Sequence, residues 1–416
     1  MMPPGTAREQ QHANRRSSLS APTTEVTSRK TATQPRLFTP TFALGWLVNF
    51  LFFLVFYYLI TVMALYAVRE FAASDLAGGF ASSSFVVGAT IARLFAGYVV
   101  DRFGRRRILL ISAVLAVLAS SLYLVADSLV FLIAVRMLHG LAFSLASTSV
   151  MALVQSVIPA VRRAEGTGYL ALTTTLAAAV GPALALLLVD AYNYDVLFWV
   201  ALATSVVSLL VALFLRDPAG DGGNTSIRWS LKTVAHPAVF PIAMFMLIIA
   251  LCYAGVLTYI NPYAEERGLI TGAAFFFIAY AAAMLLTRPF LGRIQDRHGP
   301  TPVVVFGLIW MAVALVILAV AETDWLVILA GVCTGLGYGT LMPAAQAMSV
   351  RAVAPHQLGT ALSTLFLFVD LGFGLGPILL GVVLGWVGYG TLYLILSGGV
   401  VVAGCYYLAI RLWARR

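Results

Sequence analysis

The sequence predicts an all-α polytopic membrane protein, with twelve transmembrane helices in two pseudo-symmetric six-helix bundles. Three observations predict it: an apolar content that no soluble core could hide, twelve apolar runs of spanning length, and a motif repeated at a fixed offset. Apolar residues fill 61% of the 416 positions and charged residues only 10%, whereas soluble domains carry about 25% charged residues. Lipid is therefore the solvent for most of this chain.

The elements follow in order. Residues 1–40 are rich in Ser, Thr, Arg and Gln and hold no apolar run, so a disordered cytosolic tail is expected rather than a signal peptide. The Arg/Ser bias also resembles an organelle transit peptide, but Glu9, Glu25 and the lack of an amphipathic period favour the tail. Crossing a bilayer as a helix takes about 20 apolar residues. Runs of that length fall at 41–66, 79–100, 107–126, 129–151, 167–189 and 194–215, then at 238–260, 271–295, 301–320, 325–349, 359–385 and 389–411. Barrel strands need only about 10 alternating residues, so these runs are helices. The longest internal polar stretch, 216–237, reads as a cytosolic linker between a 41–215 bundle and a 238–416 bundle that ends in a short basic tail.

Charge placement sets the orientation. Of the 26 Lys and Arg residues, only Arg69 and Arg267 fall on the outer side and only Arg93, Arg136 and Arg288 fall within spans. All the others lie in the tail, the even-numbered loops or the C-terminus, which places both termini in the cytosol of a plasma membrane. The net charge of +9 is thus topology and not a nucleic-acid patch. Cys252, Cys333 and Cys405 lie far apart in apolar runs, as packing residues without metal spacing. His12, His139, His236, His298 and His356 are scattered, and no phosphate-loop string is present. No enzyme chemistry, metal or cofactor is therefore expected. A sensor would need a soluble module larger than this tail.

The repeat is the strongest signal. Gly97-Tyr-Val-Val-Asp101-Arg102-Phe-Gly104 has a twin in Gly292-Arg-Ile-Gln-Asp296-Arg297-His-Gly299, at an offset of 195 residues. Arg93 and Arg288, Gly140 and Gly335, and Gly181-Pro182 and Gly376-Pro377 keep the same offset. A six-helix unit has been duplicated with both copies facing the same way, an architecture that places a site between the halves at mid-membrane.

The run G-Y-V-V-D-R-F-G-R-R from Gly97 to Arg106 resembles the major facilitator superfamily signature G-x-x-x-D-R-x-G-R-[RK] between helices 2 and 3. The twin after helix 8 has Pro300 and Thr301 in place of the basic pair. Arg136-Met-Leu-His139-Gly140 is similar to the family's R-x-x-Q-G with His for Gln. Gly181-Pro182 is similar to the exporter motif, with Ala185 at a usual Gly. The resemblance covers about residues 41–411 and is nearest to bacterial drug and metabolite efflux proteins, including the staphylopine-exporter-like group. It implies that Gly97, Asp101, Arg102, Gly104 and Arg105, with Asp296 and Arg297, form a latch that closes the cytosolic side when the protein faces out. The family's expected partner for Asp101 is the start of helix 11 near Leu358, a helix N-terminus that attracts a carboxylate. Arg102, Arg105 and Arg106 are expected to pair with Asp101 or Glu165. The plain alternative is a positive-inside anchor.

Charges inside spans cost several kcal/mol unless paired or set in a watery cavity. Arg93 and Arg288 either snorkel to headgroups or pair. Asp370, the one carboxylate placed within a span, is expected to pair with Arg93 across the halves, as a proton or substrate coupling group or as a static salt bridge. Arg136 shares a helical face with Gly140, Phe143 and Ser147. Because helix 4 lines the central cavity in the resembled fold, Arg136 is expected either to bind the anionic group of an amphipathic substrate or to set the pKa of a nearby acid. His139 reads as a neutral packed histidine. Asn49, Tyr57 and Tyr253 are further substrate candidates on lining helices. Gly181, Pro182, Gly376 and Pro377 kink helices or simply pack, and Gly331, Gly335 and Gly339 allow close helix contact. The expectation is a monomeric secondary active transporter exporting a small organic molecule against protons. The alternative is a nutrient importer or uniporter. Helix 1 lacks the acid common in the family's proton-coupled exporters, so Asp370 carries the proton or coupling is to something else.

Overall fold

The computed structural model describes residues 36–73, 75–218 and 234–413. Of the tail expected over 1–40, residues 1–35 lie outside the described residues, as do 219–233 of the linker expected over 216–237, whereas Leu37 is buried in the N-terminal core. Ten helices come first: α1 (Pro40–Phe71), α2 (Asp75–Phe103), α3 (Arg105–Leu122), α4 (Leu129–Val157), α5 (Arg163–Ala191), α6 (Tyr194–Leu213), α7 (Phe240–Arg267), α8 (Ile270–His298), α9 (Pro300–Val320) and α10 (Asp324–Arg351). The run Leu358–Trp413 is two helices joined at Gly388, whose φ of 71° and ψ of 169° break the helix. They are α11 (358–387) and α12 (389–413). Among the described residues, twelve helices are long and apolar enough to cross a membrane. In lipid each backbone N–H and C=O must be satisfied within the chain, and a helix does this for every run independently.

Several helices outrun the apolar stretches read from the sequence. α1 continues through Arg69 and Glu70 and α2 through Asp101 and Arg102. Hydropathy marks only the hydrocarbon slab, whereas helical hydrogen bonding carries on through the polar turns beyond it. Local signals set the ends. Thr39 caps α1 by accepting from Phe42 N at 3.2 Å, with Pro40 in the first turn. Asn193 caps α6 by accepting from Val196 N at 2.9 Å. Gly104 (φ 97°) and Gly299 (φ 82°) make the twin turns after α2 and α8, in a region of backbone space that L side chains avoid.

The end bearing Arg102, Arg105, Arg106 and Arg107 is termed the basic end below. Buried apolar side chains form one cluster in the second half and two centred on α1–α6. The two N-terminal clusters differ. The one nearer the basic end, with Phe42, Val48 and Leu153, also takes in Val350, Leu358 and Leu362 from the other half. The one toward the opposite end, with Leu59, Met63 and Phe198, holds residues of α1–α6 and their connections alone. The halves therefore share a core at one end only.

Small residues permit the tightest crossings. Gly88 and Gly140 bring α2 and α4 together so closely that a Cβ on either would strike the carbonyl of Met137 or Phe85. Gly331 and Gly335 repeat this between α10 and α8, against the carbonyls of Phe276 and Tyr280. With no hydrophobic drive between helices in lipid, close backbone contact is a main source of association. Outward-facing apolar side chains such as Trp386, Leu286 and Leu187 are well exposed and suit acyl chains.

Candidate functional site

A cavity of about 730 Å³ lies between the halves. Its first-half wall is aromatic: Phe56, Phe85 and Phe143 pack with ring centroids 5.1 to 5.5 Å apart. From the second half Tyr253 stacks on Tyr338 at 3.9 Å and meets Tyr280 at 6.0 Å and Phe373 edge-on. Val86, Leu257 and Phe277 line the cavity toward the end opposite the basic one and are themselves exposed, so it reaches the surface there.

Among the lining residues only Arg93, Asp370 and Arg288 are charged. Nε of Arg93 lies 2.6 Å from Oδ2 of Asp370, an ion pair whose N–H is not aligned as a hydrogen bond. The guanidinium also sits 5.0 Å from the Phe366 ring centroid, and Ser363 Oγ donates to the Arg93 carbonyl at 2.6 Å. Arg93 thus pairs and does not snorkel. Arg288 does neither: it is 7% exposed and makes no hydrogen bond or ion pair with the described residues.

At the basic end two carboxylates each hold the other half. Asp101, buried at the foot of α2, accepts from Gly359 N at 2.8 Å, Thr360 N at 2.7 Å and Thr360 Oγ1 at 2.7 Å at the start of α11. Asp296, its repeat mate on α8, accepts from Ala164 N and Glu165 N, both at 3.0 Å, at the start of α5. All four donor positions keep the 195-residue offset. Each carboxylate satisfies free N–H groups of a helix start and meets the positive end of its dipole.

Gly97 and Gly292 serve the same crossings. A Cβ on Gly97 would sit 2.6 Å from Thr360 Cα, and one on Gly292 would sit 2.5 Å from Glu165 Cα. The arginines diverge more. Arg105 donates to the Pro355 carbonyl. The second half has Pro300 at the matching place, and Arg351 of α10 reaches instead to Asp296 and to the Ala160 carbonyl, the repeat mate of Pro355 O.

Several expectations need correction. Arg102 and Arg106 do not pair with Asp101 or Glu165. Arg106 donates to the carbonyls of Leu215 at 2.6 Å and Leu213 at 3.2 Å, and Arg102 lies over the rings of Tyr98 and Phe103. Glu165 is taken by Arg162 at 2.7 Å and Arg293 at 2.9 Å. Backbone donors outcompete the flexible cations for Asp101 because a helix start holds them already in place.

Arg136 does not line the cavity. It is sealed within the first half at 0% exposure, donating to the carbonyls of Ser82 at 2.8 Å and Ala81 at 3.4 Å. It stands behind Phe85, 4.9 Å from that ring, and His139 beside it contacts Tyr123 Oη at 3.2 Å. Asn49 is likewise interior and donates to Thr173 Oγ1 at 2.6 Å. Tyr57, Tyr253, Arg93 and Asp370 do line the cavity. Arg297 takes no part in either latch contact among the described residues, while Pro182 sits inside an unbroken α5. Gly181 meets Tyr57 on α1 and Gly376 meets Ala254 on α7, so both glycines pack helices of one half; Pro377 lies in α11. Tyr280, Tyr338, Thr175 and Gln346 of the lining were missed. Tyr280 was legible as the repeat mate of Phe85.

Two six-helix halves closing on a central cavity define a membrane transporter rather than an enzyme. The chain belongs to the Major Facilitator Superfamily, whose family model matches residues 45–278 and 270–416. Multidrug resistance protein MdtG of Dickeya zeae is 26% identical over 351 residues, covering 82% of this chain and 86% of that protein. MdtG of Citrobacter koseri is 24% identical over 376 residues, covering 87% and 92%. Among solved structures, the human organic anion transporter MFSD10 superposes with a TM-score of 0.76 at 16% identity, covering 89% of this chain and all 100% of that one. The transporter FucP in its outward conformation gives 0.72 at 15% identity, covering 89% and 98%. These two likenesses concern the fold.

Proposed function

We propose that the chain is a secondary active exporter of a small organic molecule, coupled to protons and working as a monomer in the plasma membrane. The basic end and both termini face the cytosol, as the positive-inside rule directs. The observation that carries this reading is the cavity, sealed at the basic end by two equivalent carboxylate-to-helix contacts between the halves and reaching the surface at the other end. This is an outward-facing arrangement. Rocking the halves to break those contacts exposes the cavity to the cytosol. The aromatic lining suits an apolar body, and the MdtG relatives, named for multidrug resistance, agree with export.

Asp370 is the carboxylate of the cavity, and Arg93–Asp370 bridges α2 and α11 across the halves. Protonation of Asp370 removes its charge, dissolves the pair and frees that crossing, which links proton arrival to rocking. The Asp101, Gly97, Gly104 and Arg105 group and the Asp296 group act as the latch.

Inside-out vesicles from cells with and without the chain test the proposal, using a panel of organic toxicants that these cells resist differentially. An acid-inside gradient drives accumulation in vesicles holding the chain, and Asp370→Asn removes the response to the gradient. Accumulation indifferent to the gradient would overturn proton coupling. Movement in the import direction alone would point to a nutrient importer or uniporter.

A further inference from the structure

The two cavity arginines are repeat mates, and their surroundings differ at three repeat-related positions. Against Arg93 stand Asp370 at 2.6 Å, the Phe366 ring at 5.0 Å and the Ser363 hydroxyl, which donates to its carbonyl. Subtracting the 195-residue offset gives Thr175, Ala171 and Gly168. Thr175 and Ala171 line the cavity, and Arg288 Cδ is 3.7 Å from the Cβ position of Gly168. The second arginine therefore faces a site from which the acid, the ring and the hydroxyl have all been trimmed. Thr175 gives its hydroxyl elsewhere, to the Ala171 carbonyl and Met284 Sδ.

We infer that Arg288 is the anion-binding residue of the substrate site, and that the substrate is an amphipathic organic anion bringing both a carboxylate-like group and an aromatic ring. The inference rests on the cavity being the transport site. Arg288 is 7% exposed, its Nε has no partner, and its one electrostatic neighbour is the uncharged phenol of Tyr280. A cation held in that condition is costly and is kept where it binds something. The Arg93–Asp370 pair is neutral, so the lining carries one net positive charge, and it belongs to Arg288. The bound anion supplies to Arg288 what Asp370 supplies to Arg93, while its ring occupies the space that Ala171 leaves open and meets the stacked Tyr253 and Tyr338.

Dansylphenylalanine, an aryl carboxylate, and its neutral carboxamide form a matched probe pair. Their fluorescence is titrated with the full chain in lipid nanodiscs, with empty nanodiscs subtracted. The acid binds roughly tenfold or more tightly than the amide, as a charge-assisted contact in a buried site demands. Arg288→Gln brings the ratio to about one, and so does Thr175→Asp, which installs an internal carboxylate where the repeat places it; Thr175→Asn, equal in size and uncharged, retains the preference. Equal binding of acid and amide by the unaltered chain overturns the anion assignment and leaves the cavity as a binding site. So does a preference that survives both Arg288→Gln and Thr175→Asp. Binding of neither probe above empty nanodiscs overturns the assignment together with the reading of the cavity, and the vesicle measurement then judges transport separately.

Discussion

The α2–α11 crossing and the α5–α8 crossing are the same construction made twice, and they have aged differently. At the basic end the likeness persists to the level of single N–H groups: Asp101 and Asp296 each hold two consecutive amides at repeat-related positions. At mid-membrane it is gone. One crossing has a closed ion pair, and the other lines the cavity with a cation and, where the repeat would place an acid, a threonine. Contacts that close the protein must work from both sides and keep their symmetry, whereas a site for one asymmetric molecule is freed from it.

The largest expected difference lies between the two arginines. Asp370→Ala leaves Arg93 buried and unpaired, with an expected loss of about 3–5 kcal/mol of stability. Arg288→Leu removes a charge that already lacks a partner and leaves stability unchanged or raised. Apparent melting temperatures in detergent should move apart accordingly; similar falls in both variants would show that Arg288 has a fixed partner. A smaller effect comes from the close crossings. Gly97→Ala and Gly292→Ala each force a Cβ against backbone, weakening the closed basic end by about 1–3 kcal/mol. Faster labelling of Met151→Cys from the cytosolic side, with Cys252, Cys333 and Cys405 replaced by Ala, would register it. Unequal effects would show that one crossing dominates closure. The smallest change is Arg351→Ala, which removes a half-exposed partner of Asp296 and costs up to about 1 kcal/mol. The same labelling should rise only slightly.

The twelve spans were legible because lipid imposes a length and a composition that few sequences meet by accident. The duplication was legible because motif positions keep one offset, whereas the place of Asp101 beside the start of α11 came from the resemblance of its motif to a family signature. What stayed hidden was decided by neighbours rather than by periodicity. Arg136 shares its helical face with Phe143 and Ser147, and those two do line the cavity. At the height of Arg136, however, α2 crosses in front through the Gly88–Gly140 contact and places Phe85 between it and the cavity. Helical spacing gives a direction and says nothing of what stands in the way. The partners of Asp101 were half hidden for a related reason. A sequence displays cationic side chains, while the amides of Gly359 and Thr360 are common to every helix start and carry no letter. Arg351 escaped notice because its repeat mate is Ser156, so the cation that serves Asp296 arrived from another helix.

The join at Gly388 carries a mechanical consequence. A single residue links α11 to α12, with open space around its Cβ position. So short a tether allows neither helix to slide along the other, and any tilt of α11 drags α12 with it. Because α11 also bears the Asp101 contact and Asp370, a pull at either point is delivered to a stiff two-rod lever, and the lipid around α12 becomes part of the load that lever must move.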